Sequence, residues 1–197
     1  MQNNVYYRIH SGKQHGIILE TIPEDVSLVI APDSSSNDYE VHKKLHERGV
    51  DVLVIDHHEA EQVSPHACVI NNQLCDYPTK SLSGVGMVYK FCSFIDELMN
   101  VDYADQFLDL VALGMIADMM DLRDFETKHL IHRGIEDIHN PFFSYMVEKN
   151  AYSLKDNITP IGVAFYIAPY VNATIRMGSP EEKELMFKSM VEYKAFD

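Results

Sequence analysis

Val50-Asp51-Val52-Leu53-Val54-Ile55 runs without a break into Asp56-His57-His58. The run is short, almost continuously apolar and rich in β-branched residues, the pattern of a strand buried on both faces of a parallel sheet. In open parallel α/β sheets ligands bind just beyond the carboxyl ends of the strands. The chain therefore delivers a carboxylate and two imidazoles, with Glu59 behind them, to the place where a small ion or a phosphate would bind. A polar turn closing a strand would account for any one of these residues. The whole Asp-His-His-Glu succession at this location points to a site.

Working outward, Ser27-Leu28-Val29-Ile30-Ala31 is a second short apolar run, followed at once by Pro32-Asp33-Ser34-Ser35-Ser36-Asn37-Asp38. Between the two runs, Tyr39 to Arg48 has helical composition and stops at Gly49, a suitable helix end. This is one βαβ unit, so the two strands are predicted to be parallel, adjacent and central, with helices on both faces. Asp33 and Asp56 then sit at the same end of neighbouring strands. Asp33 alone would be an ordinary turn or N-cap aspartate; two adjacent strand ends that each release a carboxylate form a candidate site. A third acid lies in Val111-Ala112-Leu113-Gly114-Met115-Ile116-Ala117-Asp118-Met119-Met120, apolar almost all round a helix and so predicted to be buried. Burying an unpaired carboxylate costs several kcal/mol. Asp118 should therefore hold a metal, or else reach solvent or Arg123 from a helix end.

Cys68-Val69-Ile70 reads as another short strand, ending at Asn71-Asn72. Ser83-Gly84-Val85-Gly86 opens a helix that continues through Leu98. Its start is either a plain N-cap with packing glycines or a set of exposed N–H groups at a positive helix end, suited to a phosphate. From Tyr103 onward the pattern is mostly helical, with turns around Asp124, Asn140-Pro141 and Asn157 to Pro160. Ser179-Pro180-Glu181-Glu182 is a capping box for a helix over Glu181 to Tyr193. Tyr152, Tyr166 and Tyr170 are expected in the core, with base stacking as the alternative.

The 197 residues, 46% of them hydrophobic, suffice for one compact α/β domain with a sizeable core. No apolar stretch reaches the ~18 residues that span a membrane, and Met1-Gln2-Asn3-Asn4 begins no signal peptide. Cys68, Cys75 and Cys92 lack zinc-site spacing and fit reduced thiols, so a cytoplasmic location is expected. The net charge of −14 runs against the basic footprint of nucleic-acid binding. Part of that excess acid would belong to a divalent-cation site, with a basic groove supplied by other segments.

Three segments resemble one family. Val54-Ile55-Asp56-His57-His58-Glu59 looks like the signature of the DHH phosphoesterase superfamily, and Leu113-Gly114-Met115-Ile116-Ala117-Asp118 like its later metal-binding aspartate motif. Ile167-Ala168-Pro169-Tyr170-Val171-Asn172-Ala173-Thr174-Ile175-Arg176-Met177-Gly178 is similar to the Pro-x-x-Asn-Ala-x-x-Arg-x-Gly segment of the RecJ branch, the single-strand-specific exonucleases. Asp33 matches the second motif in place, and Asn71-Asn72, Tyr77-Pro78 and Ser83-Gly84-Val85-Gly86 follow the RecJ order. The similarity runs from about Val5 to Gly178. It implies a single DHH-type domain over 1–197, incomplete at its N-terminus. Residues 1–100 would form a parallel-sheet α/β part with helices on both faces, and 101–197 a mainly helical part. The first motif, an Asp-x-Asp pair, should lie upstream of residue 1, and a second domain that grips nucleic acid should follow Gly178. The chain is then a central piece of a larger enzyme, a truncated gene product, or a chain that has lost part of its site.

The resemblance also implies chemistry. Asp33, His57 and Asp118 would ligate Mn²⁺ (or Mg²⁺), with imidazole favouring manganese and Asp33 bridging when two ions bind. Asp56 would act as a catalytic residue, ligating alongside or orienting an imidazole. His58 would contact the scissile phosphate, and Arg176 would clamp a phosphate. Asn172, Ser83 and Gly84 are the remaining phosphate-binding candidates, Asn172 having two other readings, holding the Arg176 segment or capping a turn. The implied activity is 5′→3′ exonucleolytic hydrolysis of single-stranded DNA in repair and recombination, with no membrane partner; without the Asp-x-Asp strand the chain alone is expected to be a weak or inactive nuclease. Two alternatives stand: a non-catalytic DHH-like scaffold in a replication or repair complex, and a DHH phosphatase acting on short oligonucleotides or nucleotides.

Overall fold

The computed structural model describes residues 5–11, 14–155 and 157–191. Three strands, β1 (Leu28–Pro32), β2 (Asp51–Asp56) and β3 (Cys68–Asn71), form one sheet in the order β1-β2-β3. Both pairings are parallel, with Ile30 opposite Leu53, and Ile55 opposite Ile70. The helix α1 (Tyr39–Glu47) connects β1 to β2, and α2 (Gly84–Met99) follows β3. Beyond residue 100 the described regular structure is helical. The helices are α3 (Leu108–Ala117), α4 (Phe125–Glu136), α5 (Pro141–Lys149), α6 (Ala151–Leu154), α7 (Pro160–Tyr166), α8 (Ala168–Met177) and α9 (Pro180–Val191). The predicted helix over 181–193 therefore starts one residue earlier, and residues 192 and 193 lie outside the described residues.

The two faces of the sheet have separate cores, as alternation of side chains along a strand requires. Val52 and Val54 of β2 pack with Ala31, Leu45 and Val50 on the α1 side. Ile55, with Leu53 and Ile70 beside it, packs on the other side into the larger cluster that includes Leu82, Met87, Val111, Met115 and Ile131. Helices thus cover both faces. One expectation needs correction: among the described residues only β2 is central. Among the described residues β1 pairs with β2 alone, and its Leu28 and Ile30 are 50% and 55% exposed on the face that Leu53 helps to bury.

The apolar α3 forms the middle of the helical part, because residues on every side of it are buried. Its buried carboxylate is Asp109, in the first turn, not Asp118. Asp109 accepts N–H groups from Leu110 at 2.7 Å, His139 at 3.0 Å and Asn140 at 2.7 Å, so its charge is met by backbone donors. Asp118 lies one residue past the end of α3 and is exposed. Arg123 pairs with Asp121, not with Asp118. Tyr152, Tyr166 and Tyr170 are also exposed, against the core expectation. Each falls outside the inward stripe of a short helix whose burial is carried by Leu154, Val163 and Val171.

Helices α3 and α4 meet at Gly134. A Cβ there would lie 2.2 Å from the Leu108 carbonyl oxygen and 2.6 Å from Ala112 Cβ. Alanine is the better helix former by about 1 kcal/mol, but a backbone oxygen cannot give way, and such overpacking costs about 1–3 kcal/mol. Gly134→Ala should therefore lower the urea midpoint of unfolding; an unchanged or higher midpoint would show that the two helices can separate freely.

Candidate metal centre

The carboxyl ends of β1 and β2 carry the site. Asp33 follows β1 directly, and its N–H donates to the Ile55 carbonyl at 2.8 Å, extending the ladder by one bond. Asp33 has a φ of 57° and Ser35 one of 78°, both in the left-handed region. Asp is among the few residues other than glycine that enter this region readily. This turn brings Asp33 Oδ1 to 3.2 Å from His57 Nε2. It also lays the Asp33 side chain against the start of α2, where a Cβ on Gly84 would sit 2.1 Å from Asp33 Oδ1. Only glycine fits at that position, and the positive end of the helix faces a carboxylate. The Gly84 surface is thus occupied by Asp33, while the Ser83 hydroxyl is fully buried and without a hydrogen-bond partner.

Asp56 is 1% exposed and collects four hydrogen bonds. Its Oδ1 accepts the His57 N–H at 2.8 Å, the His58 N–H at 3.3 Å and the His58 ring Nδ1–H at 2.7 Å, and its Oδ2 accepts the Ser36 N–H at 3.2 Å. Burial pushes this carboxyl up, but the His58 ring, Ser36 and the two backbone N–H groups outweigh it and hold the pKa at about 2. An ionised carboxylate only accepts, so the proton on the His58 ring is at Nδ1, and the other ring nitrogen is left for a cation. Asn71, at the end of β3, completes the frame. Its side-chain amide donates to Ser36 Oγ and to the His58 carbonyl oxygen, each at 2.8 Å.

Ligand atoms of Asp33, His57 and His58 lie within 4.8 Å of one another, the one such group of potential metal ligands among the described residues. His57 is raised above the usual imidazole range, first by its hydrogen bond to Asp33, against burial, and then by the charges of Asp33, Asp118 and Asp56. Asp118 is outside the trio but within its field. Desolvation and then the Asp33 charge raise its carboxyl, opposed by His57, His58 and Arg176. Arg176 is exposed in the last turn of α8. Asn172, on the same helix, donates to the Ala117 carbonyl at 3.1 Å and fastens α8 to the end of α3 beside Asp118. That bond belongs to a residue within a helix, not to a turn cap.

The structure therefore brings Asp33, Asp56, His57 and His58 together, with Asp118 and Arg176 in electrostatic reach. Sequence reasoning passed over Ser36 as a partner of Asp56 and Asn71 as a brace. It also assigned no role to His15, whose ring meets that of His58 edge-on with centroids 5.3 Å apart. The donors on hand, carboxylate oxygen and imidazole nitrogen, suit a divalent metal ion.

An α/β domain with this donor cluster at its strand ends defines the class, and its family follows. The chain belongs to the DHH family: residues 2–115 match the DHH family, N-terminal domain. It is 47% identical over 189 residues to YorK, an SPbeta prophage-derived protein of Bacillus subtilis strain 168 whose name proposes a single-strand DNA-specific exonuclease. That alignment covers 95% of this chain and 33% of YorK. It is 27% identical over 184 residues to the single-stranded-DNA-specific exonuclease RecJ of Thermus thermophilus, covering 89% of this chain and 26% of that protein. A crystal structure of exonuclease RecJ bound to manganese superposes with a TM-score of 0.71 at 26% identity, over 91% of this chain and 48% of the other. The chain spans about a third or less of the length of these two curated relatives.

Asp56 gives the site an acid sensitivity. Its folded pKa of about 2 lies below the ~3.9 of a free aspartate, so the stabilisation is full above pH ~4 and is lost as pH falls through 2. The difference is worth about 2–3 kcal/mol. Urea unfolding in chelator should show a loss of that size between pH 5 and 2, and Asp56→Asn should remove this component. An equal acid loss in both proteins would contradict the ionised, four-donor description.

Proposed function

We propose that this chain carries the metal-binding part of the catalytic region of a RecJ-like exonuclease that hydrolyses single-stranded DNA from the 5′ end with Mn²⁺. The observation that carries the reading is the convergence of Asp33, His57 and His58 ligand atoms within 4.8 Å. The names of its relatives, and the manganese bound by a structural neighbour, support the same substrate and ion.

In this reading Asp33, His57 and His58 would hold the cation, with Asp118 a more distant donor. A divalent ion held there would supply positive charge beside the phosphate and acidity for a bound water. Asp56 keeps the His58 ring in one tautomer and one orientation. Arg176 steadies a phosphate oxygen through its planar fork, and its charge offsets that of Asp118. Asn172 keeps the Arg176 helix against α3. Exposed Tyr166 and Tyr170, one helix end apart, offer rings on which unpaired bases can stack. DNA repair and recombination is the setting proposed for this activity, inside the cell. No described helix is long and apolar enough to cross a membrane.

The test is a Mn²⁺ titration of the chain followed by a nuclease assay on 5′-labelled single strands, with duplex DNA, dinucleotides and nucleotides alongside. Mn²⁺ should bind, and nucleotide release from single strands should require it and fall about 100-fold or more in His57→Ala. Release from dinucleotides or nucleotides alone would favour a small-substrate phosphatase. Manganese binding with no cleavage of any substrate, by the chain or by a longer protein that carries it, would favour the non-catalytic scaffold.

A further inference from the structure

The histidine of this site that stands on neither strand end is His15. It belongs to a segment of irregular backbone that reaches the cluster before β1 begins. Its ring meets the His58 ring edge-on, at an interplanar angle of 78°, while the His57 ring approaches His58 with centroids 4.5 Å apart. We propose that His15 is a positioning residue: it fixes the plane of the His58 imidazole so that Nδ1 stays on Asp56 and the other nitrogen faces the cation site.

Three observations carry this. His58 needs a brace, because its side chain is 48% exposed and its bond to Asp56 fixes one nitrogen without fixing the tilt of the ring. The backbone that carries His15 is held in place, although the residue itself is exposed. The next residue, Gly16, is buried with a φ of 77°, and a Cβ there would lie 2.3 Å from Asp38 Oδ2. The same Asp38 oxygen accepts the Ile17 N–H at 3.1 Å, and the Gly16 carbonyl lies 2.8 Å from the His10 ring Nε2. Asp38 precedes α1 in the loop that also carries Asp33 and Ser36, so the segment is fastened to the frame that holds the ligands. Finally, His15 is not one of the residues whose ligand atoms converge. Its contact is ring to ring, an arrangement in which a positive ring edge meets a negative face.

For its functional meaning the inference rests on the metal-centre reading, but it is testable without metal. In metal-free protein labelled with ¹⁵N, the His58 ring should show a single tautomer with its proton on Nδ1. His15→Ala should broaden that signal or average the tautomers, and His15→Phe, which keeps an aromatic edge and no nitrogen, should restore it. Mn²⁺ affinity, read from the EPR signal of the free ion, should fall about three- to tenfold in His15→Ala and recover in His15→Phe. An unchanged His58 signal in a folded His15→Ala protein would overturn the proposal. So would a Phe variant as impaired as the Ala variant, since His15 would then act through its nitrogens. A wild-type protein that binds no Mn²⁺, yet shows the expected His58 response, would refute the metal centre and leave the positioning role standing.

Discussion

The buried Asp56 carboxylate is the constraint on which the rest of the site depends. It sits at the last residue of the central strand, where an unmet charge would cost several kcal/mol, and four donors meet it. Meeting them fixes three things at once. The Ser36 bond positions the loop after β1 that carries Asp33. The two backbone N–H bonds set the turn after β2. The ring bond decides which nitrogen of His58 is free. Asn71 ties the third strand into the same arrangement through Ser36 and the His58 carbonyl. One ionised group thereby organises the ends of all three strands.

Much of this was legible in the chain. The βαβ unit followed from two short apolar runs around a helix that ends at Gly49, and a parallel pair is what that spacing permits. The βαβ connection put Asp33 and Asp56 at one end, and adjacency placed His57 beside Asp33. Other parts could not be read from local pattern. The α3 stretch was apolar on every side, so its periodicity could not say which acid was inside; the end of the helix at Ala117 decides that Asp118 is outside, and distant N–H groups at His139 and Asn140 decide that Asp109 is inside. The tyrosines of the last short helices look like core residues by type, but each short helix buries only one or two positions. His15 and Asn71 act through contacts 43 and 13 residues away in sequence, and neither leaves a periodic signal.

The charge of the chain fits this account of the site. A net charge of −14 is unfavourable for gripping a polyanion. At the cluster the carboxylates of Asp33, Asp118 and Asp56 bias His57 toward its charged form, so the local field is negative as well and suits a cation, with Arg176 partly offsetting it near Asp118. The chain also spans only part of each of its relatives, and β1 presents half-exposed Leu28 and Ile30 at an edge that parallel sheets usually cover.

The most direct measurement is a crystal structure of the chain grown with Mn²⁺, with anomalous diffraction collected at the manganese edge. The account predicts an anomalous peak within coordination distance of an Asp33 carboxylate oxygen, a His57 ring nitrogen and the His58 nitrogen not engaged by Asp56. A second peak sharing Asp33 would mark the bridging ion. Manganese found only at other acidic surfaces, with Asp33 still on His57 and no density between them and His58, would contradict it.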